Sequence, residues 1–104
     1  MRRLLLILFI TLHHEGLFAQ SGEALFTEKL CHTCHGSAGK KPMAPNWPKI
    51  CGQQAAYLSE QAIYIRDGKR KTPMAASMRA LVSTVTDSEF QKIAEYLEKA
   101  CLVE

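Results

Sequence analysis

The stretch Leu30-Cys31-His32-Thr33-Cys34-His35-Gly36 decides how the chain is interpreted, because it contains the pattern C-x-x-C-H. In this pattern two thiols add to the vinyl groups of a heme, and the adjacent histidine becomes an axial ligand of the iron. Cys31 and Cys34 are therefore predicted to attach one heme c covalently, with His35 as the first iron ligand. His32 occupies a variable position of the motif, and we predict no role for it.

Two other kinds of site use similar residues. A zinc site would take Cys31, Cys34 and His35, with Cys51 as a further ligand, and a thioredoxin-like dithiol would use the two motif cysteines alone. Zinc ribbons and fingers normally present a second paired ligand group, and the chain has none at a comparable spacing. A thioredoxin-like site needs a βαβ context, and no strand pattern is visible. The sequence therefore favours heme.

The N-terminus has the features of a secretory signal. Arg2 and Arg3 precede the apolar run 4–12, and Leu17-Phe18-Ala19 offers a cleavage site. Cleavage after Ala19 would make residues 1–19 a signal peptide and residues 20–104 a single mature domain in the periplasm. The apolar run is shorter than the roughly 20 residues that span a bilayer, and only an uncleaved N-terminal anchor would bring the protein into contact with the membrane.

Composition limits the function classes. The chain has 104 residues, 47% hydrophobic and 22% charged, with a net charge of +3, and the predicted cleavage lowers this charge by removing Arg2, Arg3 and Glu15. No nucleic-acid footprint is present. Basic residues gather at Lys40-Lys41 and between positions 66 and 71. These groups either orient an acidic redox protein during encounter or form a solvated loop.

The periodicity of the mature segment is helical throughout, which predicts an all-α protein of about three to four helices. One helix is expected from Ser21-Gly22 to Leu30 and another from Gln53 to Asp67, with Gly68 as its C-terminal stop. The last helix is predicted from the T-x-x-E capping box of Thr86 and Glu89, followed by apolar residues at i, i+3, i+4 and i+7. The glycine- and proline-rich segment 36–48 is predicted to be a loop.

The chain also resembles the short bacterial class I cytochromes c, especially the periplasmic cytochrome c-553 group. The resemblance rests on Gly22-x-x-Leu25-Phe26, Cys31-His32-Thr33-Cys34-His35-Gly36, Ala44-Pro45-Asn46-Trp47-Pro48-Lys49-Ile50, Gly52-Gln53, Tyr57-Leu58, Gly68-x-Arg70 and Ile93-Ala94-x-Tyr96-Leu97.

The resemblance implies a cytochrome c-like fold around one covalently bound heme. It implies that the first and last helices cross, which would bring Gly22 and Phe26 to Tyr96. It also implies that the carbonyl of Pro45 accepts a hydrogen bond from His35 and so orients the ligand.

A methionine is the expected second iron ligand in such a protein. Met78 lies eight positions before Thr86, the register at which the ligand of these cytochromes usually precedes the last helix, and we prefer it. Met74 follows Pro73 and is the alternative, whereas Met43 is close to His35 in the proline-rich loop and is disfavoured.

Cys51 and Cys101 are left after the heme motif takes two cysteines. A disulfide between them would close a loop of about 50 residues and contribute roughly 4 kcal/mol in the chain-entropy model. Sequence alone does not fix the pairing geometry, so paired and unpaired cysteines both remain open.

These features predict a mono-heme single-electron carrier that exchanges electrons with redox protein partners and has no substrate of its own. The alternative is the heme subunit of a multi-subunit oxidoreductase, such as a flavocytochrome c sulfide dehydrogenase. A third hypothesis, an enzyme or gas sensor with an open iron position, predicts that Met78→Ala leaves the visible spectrum unchanged.

Overall fold

Helices make up the regular structure of residues 20–103, the part of the chain that this computed structural model describes. They are α1 (Gly22–Glu28), α2 (His32–His35), α3 (Ala55–Arg66), α4 (Pro73–Val82) and α5 (Asp87–Ala100), with a 3₁₀ turn at Ser37–Gly39. No strand occurs in these residues, and the prediction of an all-α fold is confirmed. None of the described helices has the length and apolar character needed to cross a membrane. The predicted signal peptide, residues 1–19, lies outside the described range.

Helices α1 and α5 cross at a point where α1 has no side chain. A Cβ atom added to Gly22 would lie 2.1 Å from the carbonyl oxygen of Lys92 and 2.8 Å from Cβ of Tyr96. Close to the crossing, the rings of Phe26 and Tyr96 meet edge to face with centroids 5.8 Å apart. The crossing has the residues that the resemblance implied.

Helix α5 begins with the predicted capping box. The Thr86 hydroxyl accepts from the Glu89 backbone N–H, and the Glu89 carboxylate accepts from the Thr86 backbone N–H. The apolar stripe that follows is buried, and it consists of Phe90, Ile93, Ala94, Leu97 and Ala100. This helix supplies the surface on which α1 and α3 pack.

Helix α1 ends earlier than predicted. Its last residue is Glu28, and Leu30 has a left-handed backbone with φ of 63°. The N–H groups of Leu30 and Cys31 donate to the carbonyls of Thr27 and Phe26, which is the Schellman pattern that closes a helix. This turn directs the chain straight into the C-x-x-C-H motif.

Helix α4 lies in a segment where the sequence pattern predicted no helix. Its N-terminus has a cap, because the Thr72 hydroxyl accepts from the Ala75 N–H at 3.2 Å, and Pro73 stands at a first-turn position where the missing N–H costs nothing. Nε of Arg79 donates to the Ile65 carbonyl at 3.2 Å and ties α4 to α3. The segment that bears Met74 and Met78 is therefore helical.

The buried side chains form two clusters. One joins α1 to α5 through Leu25, Phe26, Ile93 and Leu97. The other joins α3, α4 and the start of α5 through Ile65, Ala75, Val82, Val85 and Phe90. Members of both clusters line one crevice, which is the candidate site.

Candidate heme site

The crevice has a volume of about 220 Å³ and a largely apolar lining. Its apolar wall includes Leu58, Ile65, Val82, Phe90, Ile93 and Leu97. Cys31, His35 and Met78 also line it. An apolar crevice with few polar groups suits a flat hydrophobic cofactor.

His35 is buried, with 9% of its surface exposed. It ends α2, and its Nδ1 lies 2.9 Å from the carbonyl oxygen of Pro48. A carbonyl only accepts, so Nδ1 donates, and in the neutral form of the imidazole Nε2 keeps its lone pair. A neutral imidazole held in this way is suited to bind a metal through Nε2.

The expectation that Pro45 supplies this carbonyl is wrong, because Pro48 supplies it. Pro45 is exposed inside a turn that the Trp47 N–H closes by donating to the Ala44 carbonyl at 3.1 Å. The chain continues past this turn to Ile50, whose N–H donates to the Gly39 carbonyl at 3.1 Å. Pro48 lies between these two anchored points, and its carbonyl reaches the histidine.

The surroundings of the cysteines oppose the zinc and dithiol alternatives. Burial raises the pKa of the Cys31 thiol to about 11, which disfavours the thiolate that a thioredoxin-like exchange requires. No three His, Cys, Asp or Glu side chains in residues 20–103 converge on a metal-binding point. The crevice beside Cys31 instead offers the apolar contact that heme attachment needs.

Cys51 and Cys101 form a disulfide in the structure, with their Cα atoms 5.3 Å apart. This separation lies within the usual range for disulfides. The bridge joins the C-terminus of α5 to the end of the loop whose Pro48 carbonyl orients His35. Beside it, the Gly52 N–H donates to the Leu97 carbonyl at 2.9 Å.

The three candidate methionines have different surroundings. Met78 lines the crevice and packs against the cluster of α3 and α4. Met74 is 38% exposed, and its Sδ accepts from Nδ2 of Asn46 at 3.6 Å. Met43 is 67% exposed. Of the three, only Met78 is among the residues that line the crevice.

The crevice also has a polar rim, which the sequence pattern did not predict. Gln53, Gln61 and Arg70 join the lining, and Nη1 of Arg70 donates to Oε1 of Gln61 at 3.2 Å. Arg70 belongs to the basic group between positions 66 and 71 and to the Gly68-x-Arg70 pattern of the resemblance, and neither was taken to predict a place in the site. The Gly68-x-Arg70 pattern, which places an arginine directly after a helix stop, is the signal that could have revealed it.

These observations fit a covalently bound heme. The thiols of Cys31 and Cys34 are close in sequence to His35. The hydrogen bond at Nδ1 of this histidine leaves its Nε2 atom free for a metal. The apolar walls come from two clusters of side chains that do not fill the space between them. An all-α chain with this site defines a c-type heme protein.

Residues 19–100 match the family model for cytochrome c, and the chain belongs to the cytochrome c family. Members of this family bind heme c covalently. The chain is 37% identical over 99 residues to cytochrome c4 of Pseudomonas aeruginosa, a match covering 92% of this chain and 47% of that protein. It is 38% identical over 66 residues to cytochrome c-554(548) of Halomonas halodenitrificans, covering 64% of this chain and 78% of the relative.

A further relative is the thiosulfate dehydrogenase electron acceptor of Stutzerimonas stutzeri, 36% identical over 66 residues, which are 64% of this chain and 30% of that protein. The chain spans about half the length of the cytochrome c4 relatives that it matches. These comparisons confirm the predicted family and cofactor.

Proposed function

We propose that this chain is a periplasmic single-electron carrier with one heme c. In this proposal Cys31 and Cys34 would attach the heme, and His35 and Met78 would be the two protein ligands of its iron. The observation that carries it is the crevice that contains both the oriented imidazole of His35 and the thioether of Met78.

The heme, when bound, supplies a reversible Fe(II)/Fe(III) couple. The residues of the chain set the conditions for that couple. Pro48 keeps the His35 ring in one tautomer, and the apolar walls exclude water. If His35 and Met78 both bound the iron, no ligand position would be left for a substrate, which favours electron transfer over catalysis.

Visible spectroscopy of the oxidised holoprotein tests the ligand set. The weak long-wavelength band of methionine-ligated ferric heme should be present in the wild type and absent in Met78→Ala. The variant should also have a lower midpoint potential, because methionine ligation raises it.

Met74→Ala is the matched control, since it removes the other methionine of the same helix. We expect it to keep the band. If Met78→Ala kept the band and Met74→Ala lost it, Met74 would be the ligand. If acid-acetone extraction released the heme, covalent attachment through Cys31 and Cys34 would be refuted.

A second candidate function is that of electron acceptor for a sulfur-compound oxidoreductase, either as a separate protein or as a subunit. The relatives named thiosulfate dehydrogenase electron acceptor favour it. The test is to add thiosulfate with and without a thiosulfate dehydrogenase to the oxidised holoprotein and follow reduction of the heme. Enzyme-dependent reduction supports this function, whereas equal rates with and without enzyme oppose it.

The basic segment Lys69-Arg70-Lys71 is exposed and adjoins the crevice through Arg70. It would orient an acidic redox partner toward the heme, so the rate of electron transfer should fall as ionic strength rises.

The periplasmic location rests on the signal pattern in residues 1–19. Mass spectrometry of the purified protein from the native host should find a chain beginning at Gln20.

A further inference from the structure

Helix α3 has two sides that line different surfaces. Leu58 and Ile65 line the heme crevice, whereas Ala56 and Glu60 line a second groove, which α3 forms with α5. At 3.6 residues per turn, these two pairs of side chains lie on opposite sides of the helix. Another protein can therefore cover the groove while the crevice stays open.

The groove combines an apolar surface with negative charge. Its volume is about 490 Å³, and Ala55, Ala56 and Ile63 supply its apolar part. Carboxylates border it on both helices, Glu60 on α3 and Glu95 on α5. The small alanine side chains allow another backbone to come close, because the distance between packed helices depends on the side chains at the contact. The groove is therefore suited to a helical protein surface that carries positive charge.

The two ends of the groove differ in charge. The end of α3 lies beside the start of α5, because Arg66 and Asp87 form an ion pair at 2.6 Å. Lys69 is at this end, where its ammonium group lies 5.4 Å from the centroid of the Tyr64 ring, and Tyr64 lines the groove. Glu95 follows Asp87 by about 12 Å along α5 and so lies toward the other end.

Lys69 and Glu95 have no ionic partner among the described residues. In residues 20–103 no carboxylate lies within ion-pair distance of the Lys69 ammonium group, and no cation lies within that distance of the Glu95 carboxylate. The acidic residues near Lys69, Asp67 and Asp87, are paired with Arg66. One end of the groove thus offers a cation, and the other end offers an anion.

A surface with a cation at one end and an anion at the other is complementary to itself. In a two-fold dimer each contact occurs twice, once in each direction. A two-fold axis through the middle of the groove would place each Lys69 opposite the Glu95 of the other copy, with the apolar parts of the two grooves in contact. Glu60 is less suitable as the partner, because its Oε1 already accepts from the Tyr64 hydroxyl at 2.9 Å.

We propose that this chain forms a two-fold dimer through the groove between α3 and α5, with ion pairs between Lys69 of one copy and Glu95 of the other. The crevice lies on the other side of α3 in both copies, so it stays accessible to redox partners. The dimer requires no property of the heme iron. It can therefore be tested separately from the proposed electron transfer.

Sedimentation velocity of the purified holoprotein at low ionic strength, over a series of concentrations, tests this proposal. The mean mass of the wild type should rise with concentration toward that of a dimer, and added salt should lower it. Lys69→Glu and Glu95→Lys should each raise the dimer dissociation constant by about tenfold or more, because like charges then face each other at both contacts. A wild type that stays monomeric at every soluble concentration would overturn the proposal.

An equimolar mixture of the Lys69→Glu and Glu95→Lys variants tests the pairing itself. In the mixed dimer every lysine again faces a glutamate, so the mixture should dimerise about as tightly as the wild type. Mixing could not repair damage to the fold of either variant. A mixture as monomeric as its two components would refute the pairing, as would single variants that dimerise like the wild type.

Lys41→Glu and Glu28→Lys are the matched controls, since both residues are exposed and neither lines the groove. They change the net charge by the same amounts and should dimerise like the wild type. Equal losses in these controls would show that net charge governs association, and the proposal would fail. If the wild type lacked the methionine band while the mixture dimerised, only the proposed ligand set would fail.

Discussion

At the scale of single residues, Leu30 is the clearest case of a side chain in a backbone conformation that favours glycine. Its φ is 63°, and the side chain is 58% exposed. A left-handed backbone costs a residue with a Cβ atom about 1 kcal/mol or more relative to glycine. We expect Leu30→Gly to raise the free energy of unfolding of the holoprotein by about 1 kcal/mol, as measured by denaturant titration.

Leu81→Gly is the matched control for this prediction. Leu81 is 60% exposed but lies within α4, where glycine costs about 1 kcal/mol. The two leucine-to-glycine changes should therefore have opposite signs. A loss of stability in Leu30→Gly equal to that in Leu81→Gly would show that the exposed side chain contributes more than the backbone conformation costs.

Single residues differ in how far the sequence predicts them. Local spacing alone indicates the heme-attachment residues Cys31, Cys34 and His35, since the chemistry requires them to stand together in the short C-x-x-C-H pattern. The acceptor of the His35 hydrogen bond depends on the path of a loop, and the turn from Ala44 to Trp47 shifts it from Pro45 to Pro48. Spacing contains no information about that path, so this part of the site required the structure.

At the scale of elements, the contact between α1 and α5 depends on Gly22. Helix propensity favours alanine over glycine, but an added Cβ would meet the Lys92 carbonyl, a backbone atom that has little freedom to move. Overpacking of this kind costs about 1–3 kcal/mol. Gly22→Ala should therefore lower the free energy of unfolding, which thermal or denaturant unfolding of the holoprotein would measure.

Ala24→Gly serves as the control on the same helix. Ala24 is exposed, so its replacement reports helix propensity without packing. If Gly22→Ala left stability unchanged or increased it, the close approach of the two helices would be refuted.

The capping box of α5 makes stability depend on pH. The Thr86 N–H donates to Oε1 of Glu89 at 3.0 Å, and Nζ of Lys29 lies 3.2 Å from Oε2. The backbone hydrogen bond from Thr86 is the main cause that lowers the pKa of Glu89, and Lys29 adds to it. The unfolded chain then binds the proton more readily than the folded one.

The stabilisation from Glu89 is therefore complete above the ordinary carboxyl pKa of about 4.3, and it is lost as pH falls through the lowered value. Glu89→Gln should flatten part of the decline in stability below pH about 5, as measured by denaturant titrations across pH. Glu98→Gln, which changes an exposed carboxylate outside this network, should leave the decline as in the wild type. Parallel pH curves for wild type and Glu89→Gln would contradict the assignment.

The sequence predicts elements well where a strong local signal and an apolar stripe coincide, as they do in α5. Helix α3 was predicted slightly too long, and α4 was missed. The apolar side chains of α4 belong partly to the crevice and partly to the cluster with α3, so they form no simple stripe. Its start was still visible in Thr72-Pro73, a cap followed by a first-turn proline.

At the scale of the whole molecule, the buried side chains of residues 20–103 form two clusters and not one continuous core, which explains the need for crosslinks. The two buried clusters are separated by the crevice, and a short chain with a divided core gains limited stability from apolar burial alone. A covalent heme between the clusters would complete the core. The all-α class could be predicted from periodicity, but the division of the core depends on how the helices pack and could not.

The disulfide between Cys51 and Cys101 constrains the same architecture from outside the crevice. Its sequence separation is 50, and the loop that it closes does not contain the C-x-x-C-H motif, so attachment of heme does not replace it. Loss of the bridge enlarges the unfolded ensemble. The Cys51→Ala/Cys101→Ala double variant should lose about 2–4 kcal/mol of unfolding free energy in denaturant titrations of the oxidised holoprotein.

The same variant tests whether the bridge also supports the iron ligand. Cys51 directly follows Ile50 and accompanies it in donating to the Gly39 carbonyl, at 3.2 Å, so the bridge anchors the end of the loop that carries Pro48. Because those backbone bonds persist without the bridge, we expect the spectrum of the native double variant to be unchanged while its denaturation midpoint falls. A midpoint equal to that of the wild type, with free thiols detected in the wild type by alkylation and mass spectrometry, would contradict the disulfide itself.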